Sequence, residues 1–134
     1  AALYERNASG RGQYVDLALL DTQVAWLANQ NLNYLVGGRA PKRQGTAHPN
    51  IVPYQAFATA DGFLMLAVGN DRQFVEFCRV AAREDLARDP RYATNADRVR
   101  HRERLVPEVE RTLRTRTTAA WLDALTPAAV PCGP

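Results

Sequence analysis

Apolar residues recur along this chain with two different periods, and the switches between them mark out its elements. In residues 17–35, Leu17, Leu20, Val24, Leu27 or Ala28, and then Leu32 or Leu35 are spaced mostly by three or four. That spacing predicts one long helix, ended by Gly37-Gly38. Ahead of it, Ala1-Ala2-Leu3-Tyr4-Glu5-Arg6 reads as the last turns of a helix, closed by Gly10, and residues 12–16 read as a short strand. The period then shortens to two. Residues 52–59 and 63–68 predict two strands, joined by the turn signal Ala60-Asp61-Gly62. Helical spacing returns after Asn70 or Asp71, which caps a helix running through Val80. Asp89-Pro90 opens a loop, and Thr94 or Asn95 caps a helical region to about Thr115, with a joint expected before Pro107. A short helix starting near Thr117 or Thr118 carries Trp121, Leu122 and Leu125.

The fold class expected is therefore α+β. A strand and a long helix in residues 1–38 precede a unit in 39–134 built from an antiparallel β-hairpin and helices, with the crossing at 37–42. The first stretch opens inside a helix and the last, Val130-Pro131-Cys132-Gly133-Pro134, ends at a strand entry, so a fragment of a longer protein is expected.

Between the two periodic regions lies the densest group of special residues, Gln44-Gly45-Thr46-Ala47-His48-Pro49-Asn50-Ile51-Val52-Pro53-Tyr54-Gln55. Prolines fix φ and remove amide donors, so such a loop holds one shape and presents its remaining N–H groups in fixed directions. It is a plausible substrate-facing surface. It is not a complete active site, because no nucleophile with a base lies beside it in sequence.

Composition narrows the remaining classes. With 46% hydrophobic and 23% charged residues over 134 positions the chain is of the globular type. No apolar run approaches the ~20 residues of a membrane span, and no leader pattern opens it, so a cytoplasmic protein without membrane partners is expected. The net charge of +3 raises the question of nucleic acid, since Arg98, Arg100, Arg102 and Arg104 fall close together. At about 100° per residue these alternate positions do not form one stripe. Glu103, Glu108 and Glu110 interrupt the field, and no aromatic residue interleaves with it, so a solvated, salt-bridged helix is expected and nucleic acid is not. Cys78 and Cys132 fit no metal spacing. Cys78 lies in phase with Phe74, Phe77 and Ala81 and is expected to be buried.

Taken in order, several segments resemble one family. They are Gly10-Arg11-Gly12-Gln13-Tyr14-Val15-Asp16 with Leu19-Leu20-Asp21, the loop from Gly45 to Gln55, Thr59-Ala60-Asp61-Gly62, and Leu66-Ala67-Val68-Gly69-Asn70-Asp71. Asp89-Pro90-Arg91-Tyr92-Ala93-Thr94-Asn95, Arg98, Arg102, Trp121, Leu125 and the final five residues complete the set. Together they resemble the class III CoA-transferases, the CaiB/BaiF group that includes formyl-CoA transferase. The resemblance implies a Rossmann-like large domain that contributes residues 1–38, and a small α+β domain that makes up 39–134. It implies a homodimer, no covalently bound cofactor, a coenzyme A thioester and a carboxylic acid as substrates, and an Asp nucleophile that lies upstream of Ala1. No catalytic residue and no metal ligand is therefore assigned within the chain, and the chain alone is expected to be inactive.

The resemblance assigns substrate contact to His48, Pro49 and Asn50, with Leu19 lining the acyl-CoA pocket. The loop's backbone N–H groups and the Asn50 amide are expected to face a carboxylate or a thioester oxygen. Formyl-CoA transferase-like members carry glycines where this chain has His48-Pro49-Asn50, which puts a formyl or oxalyl substrate in doubt. Two other readings stand beside transfer: an acyl-CoA racemase of the same superfamily, and a non-catalytic interaction module from a truncated gene.

Overall fold

The computed structural model describes residues 1–134, which form two units, Ala1–Arg43 and Gln44–Pro134. The first unit is three helices: α1 (Ala2–Ser9), α2 (Leu19–Trp26) and α3 (Ala28–Gly37). Gly10 and Gly38 end α1 and α3 in the left-handed region, at φ 73° and 69°, where a glycine carries no Cβ penalty.

Two expectations fail in this unit. The long helix over 17–35 is broken at Leu27, whose ψ of 11° leaves the helical range. The Leu27 N–H tightens onto the Val24 carbonyl, and the Asn31 side-chain amide donates to that same oxygen at 3.2 Å, so the broken turn is satisfied locally. Periodicity alone cannot report such a joint, because α3 resumes close to the phase of α2. The strand over 12–16 is absent; these residues have no regular structure. A strand exists only through its ladder partner, and the first unit contains no other strand to supply one.

The second unit carries the core. β1 (Tyr54–Ala58) and β2 (Phe63–Ala67) pair antiparallel from Tyr54↔Ala67 to Ala58↔Phe63, and β3 (Cys132–Gly133) joins the far edge of β2 through Leu66↔Cys132. The sheet order is β1-β2-β3. Leu64, Leu66 and Val68 alternate inward from the central strand and are fully buried. Against that face pack Phe74, Phe77 and Cys78 of α4 (Asp71–Val80), Leu105, Val109 and Leu113 of α7 (Arg102–Leu113), and Trp121 and Leu125 of α8 (Thr118–Leu125). The buried indole of Trp121 donates from Nε1 to the Leu113 carbonyl at 2.7 Å, so its polar atom carries no burial penalty.

Side-chain caps set the helix starts. Asn70, Thr94 and Thr117 each accept from the backbone N–H three residues on, opening α4, α6 (Asn95–Arg100) and α8. The hairpin turn also orders α8: Asp61 accepts from the Thr118 N–H at 2.8 Å, and Thr59 Oγ1 lies 2.8 Å from Thr118 Oγ1. A five-residue helix, α5 (Glu84–Arg88), precedes Asp89, and a 3-10 turn over Pro90–Tyr92 opens the stretch expected as a loop. The joint expected before Pro107 lies instead at His101, where φ is −105° and ψ 21°. Its carbonyl gathers the N–H groups of both Arg104 and Leu105. Pro107 remains inside α7, which continues past it to Leu113.

Candidate functional site

Residues 44–53, ahead of β1 in the second unit, are fixed along nearly their whole length. Gly45 turns the chain at φ 61°, and the Ala47 N–H closes that turn on the Gln44 carbonyl. Thr46 Oγ1 accepts from the Ala56 N–H at 3.1 Å, and the His48 N–H donates to the Tyr54 carbonyl at 2.9 Å, which ties the loop to the start of β1. Within the loop the Asn50 N–H donates to His48 Nδ1 at 3.0 Å, while the imidazole stacks on Tyr54 with centroids 5.3 Å apart. The Val52-Pro53 peptide is cis.

Three side chains from α6 and the start of α7 clamp the same backbone from the other side. Asn95 is bidentate: its amide donates to the Asn50 carbonyl at 2.8 Å, and its oxygen accepts from the Val52 N–H at 3.2 Å. Arg98 donates from Nε to the Val52 carbonyl at 2.8 Å and from Nη1 to the Tyr92 carbonyl at 3.0 Å. Its Nη2 pairs with Asp71 at 2.7 Å, and its guanidinium sits 4.6 Å from the centre of the Phe74 ring. Arg102 donates from Nη2 to both the His48 and Pro49 carbonyls, at 3.0 and 2.9 Å. Asn95 and Arg98 lie one turn apart on α6, and Arg102 opens α7 immediately past the joint at His101.

This corrects the reading of the arginine cluster. Arg100, which pairs with Asp97 at 3.0 Å, is exposed as expected, but Arg98 is completely buried and Arg102 half-buried. A buried guanidinium is tolerable only when its donors and charge are matched, and Arg98 has three acceptors, one of them a carboxylate. Counting charges along the sequence missed these residues. The spacing of Asn95, Arg98 and Arg102, read as a face rather than a run, is the signal that would have found them.

The clamp also changes what the loop offers a ligand. The N–H groups of Ala47, His48, Asn50 and Val52 all donate within the protein, and Pro49 has none. The expected array of backbone donors is therefore largely committed to holding shape. Because Nδ1 of His48 accepts a hydrogen bond, the neutral ring carries its proton on Nε2, and that N–H is an oriented donor. Of the residues expected to contact substrate, His48, Pro49 and Asn50 stand together in the second unit. Leu19 opens α2 in the first unit and is 80% exposed.

Beside the clamp is an open groove of about 390 Å³, lined by Gln44, Ala47, Gln55, Arg102, Glu103, Val106 and Pro107. A larger depression of about 460 Å³ lies at the start of α4, away from the loop. Several of its polar side chains are already engaged, Arg79 on Glu76, Gln73 accepting from the Gly69 N–H and Asn70 accepting from the Gln73 N–H. The loop-side groove is the better site on chemical grounds. The two thiols do not compete with it: burial pushes the Cys78 thiol up to about 12 and raises that of Cys132.

Residues 1–134 match the family model described as CoA-transferase family III. The chain is 51% identical to the succinate–glutarate CoA-transferase of Agrobacterium fabrum over its full length and 34% of that protein. It is 41% identical to the succinyl-CoA:glutarate CoA-transferase of Mus musculus, again over the full chain and 31% of the relative. Among solved structures, a CaiB/BaiF family protein from Brucella suis superimposes with a TM-score of 0.70 at 42% identity, covering 98% of this chain and 35% of that one. The chain thus spans about a third of the length of the curated relatives it matches.

Proposed function

The chain belongs to CoA-transferase family III, and from that premise we propose that the whole protein moves coenzyme A between dicarboxylic acids, with a succinyl donor and a glutarate-like acceptor. One observation carries the choice of acids: 51% identity, without truncation of this chain, to a relative named for succinate and glutarate. The acyl-CoA racemase and interaction-module readings have no observation of their own in their favour.

In this reading the loop at His48-Pro49-Asn50 is one wall of the acyl site. An aspartate attacks the thioester carbonyl, the C–S bond breaks, and CoA departs as its thiolate, leaving an aspartyl–acyl mixed anhydride on the enzyme. The thiolate attacks the aspartyl carbonyl and releases the first acid as a carboxylate. A second carboxylate then attacks the enzyme-bound thioester, and the thiolate finally takes the new acyl group and returns the aspartate. Splitting the transfer this way replaces one difficult step with several easier ones. The His48 Nε2–H suits a carbonyl oxygen that gains charge, because its ring is held by the Asn50 N–H and by Tyr54 before any substrate arrives.

By the family resemblance the aspartate lies upstream of Ala1, so the 134-residue chain alone is expected to transfer no CoA. Asp61, Asp85, Asp89 and Asp97 each hold a helix cap, a turn or an arginine, and all four are pushed below the usual carboxylate range by those partners. A Rossmann-like large domain around α1 to α3, a homodimer and a cytosolic setting belong to the same proposal. No helix is long and apolar enough to cross a membrane.

Supplying the full-length enzyme with succinyl-CoA and glutarate tests the reading directly. Glutaryl-CoA should accumulate, and its absence would reject the assignment. His48→Ala should lower kcat by roughly 100- to 1,000-fold, the range for losing one oriented donor to a developing oxyanion, with CoA affinity little changed. Unchanged kinetics in that variant would remove the loop from the chemistry.

A further inference from the structure

Two arginines on either side of the joint at His101 grip the same loop, and only one of them has a carboxylate. Arg98 has all three nitrogen groups engaged and Asp71 as its counter-ion. Arg102 commits Nη2 alone, and to neutral carbonyls, while Nε and Nη1 meet no protein acceptor and no acidic side chain pairs with it. It is half-buried and lines the groove of about 390 Å³ beside the loop. The groove adds two amide side chains, Gln44 and Gln55, and an apolar strip formed by Ala47, Val106 and Pro107.

We infer that Arg102 and this groove receive the far carboxylate of a dicarboxylic acyl group, so that Arg102 determines specificity. The inference rests on the proposed CoA transfer between diacids. The chemistry follows from the charge of the guanidinium and its remaining N–H groups. With Nη2 committed to the loop, Nε and Nη1 point to opposite sides of the group, and each offers a single charge-assisted hydrogen bond to a carboxylate oxygen. The short methylene chain of a four- or five-carbon diacid would lie on Val106 and Pro107, with the glutamine amides beside its oxygens. Glu103 also borders the groove, but it is exposed, where water and salt screen its charge. Because Arg102 ties this groove to the His48 and Pro49 carbonyls, filling it would position the other end of the acyl chain along the loop.

The test compares succinyl-CoA with butyryl-CoA, which replaces the far carboxylate by a methyl group, on the full-length enzyme and its Arg102→Met variant. The variant also frees the His48 and Pro49 carbonyls, so both donors should slow, but loss of a charged hydrogen-bond partner predicts that kcat/KM falls roughly 10- to 100-fold further for succinyl-CoA than for butyryl-CoA. An equal loss with both donors would show that Arg102 only holds the loop and would overturn the inference, leaving CoA transfer standing. If the methionine variant does not fold, Arg102→Gln removes the charge while keeping an amide donor, and the same ratio decides. Glutarate binding by calorimetry separates the two readings further. An enzyme that moves no CoA but loses glutarate affinity with Arg102 would sink the transferase assignment and keep the carboxylate site. Glutarate affinity that is unaltered by either substitution would remove the site.

Discussion

Residues 10–18 and residues 44–53 are both irregular, both contain glycine, and both precede regular structure, yet they are held in opposite ways. In the first, bonds hold only the two ends: the Gly10 N–H on the Arg6 carbonyl, the Arg11 N–H on Ser9 Oγ, and the Ala18 carbonyl accepting from Thr22, while Tyr14, Val15 and Leu17 stand exposed. In the second, Asn95, Arg98 and Arg102 reach across more than forty residues of sequence to grip successive carbonyls. The difference extends to the units that contain them. No residue of Ala1–Arg43 is buried, and fourteen of the sixteen large exposed apolar side chains belong to it. Apolar surface of that extent is normally covered by other protein. Irregular backbone becomes a defined site only where long-range partners satisfy its polar groups; without them it keeps its chain direction and little else.

The largest test of that contrast is Arg98. Arg98→Met should destabilise the second unit by about 3–5 kcal/mol, because it strands the Val52 and Tyr92 carbonyls in a buried place and removes the partner of Asp71. Arg100→Met, on the same helix but in an exposed pair, should change stability by less than about 0.5 kcal/mol. Urea denaturation of the two variants makes the comparison, and similar values for both would mean that the clamp adds nothing.

A smaller effect is expected at Asn95. Asn95→Ala removes two bonds to the loop while leaving the Thr94 cap in place, and should lower stability by about 1–2 kcal/mol. Amide exchange should speed up at Val52 and stay unchanged at Leu66, in the central strand. Equal acceleration at both sites would indicate general loosening instead of a released loop.

The smallest effect is the acid response. The Thr118 N–H lowers Asp61, Arg83 lowers Asp85, Arg91 brings Asp89 down to about 2, and Arg111 lowers Glu108. Each folded value lies below its unfolded value, so the stabilisation is complete above the unfolded pKa and is lost as pH falls through the folded one. The melting temperature of the second unit should hold steady down to pH ~4 and decline from there toward pH ~2, following the ordinary carboxylate values and these depressed ones. A flat profile across that window would show that these pairs are too well solvated to matter.

Much of the second unit was legible residue by residue. The turn at Ala60-Asp61-Gly62, the cap at Asn70, the alternation of Leu64, Leu66 and Val68, and the burial of Cys78 follow from local chemistry and period, and the structure has all of them. The family was legible too, through the order of its motifs, since an ordered set constrains far more than any one segment. The joints at Leu27 and His101 were not, because the helical phase nearly survives each break and leaves no mark on the pattern.

The sequence by itself determined the hairpin and the main helices of the second unit, and that the stretch around His48 would be stiff. Tertiary structure decided what that stiffness serves. Arg98 and Arg102 look alike as letters in a basic run, and only the packing of α6 and α7 against the loop makes one a buried tie and leaves the other with donors to give. It also redirected the loop's own N–H groups inward, so that the site rests on side chains that a reading of the loop alone would not have chosen. Periodicity records which face of an element turns inward. Which polar atoms meet there depends on contacts between residues far apart in the chain, and no local pattern encodes them.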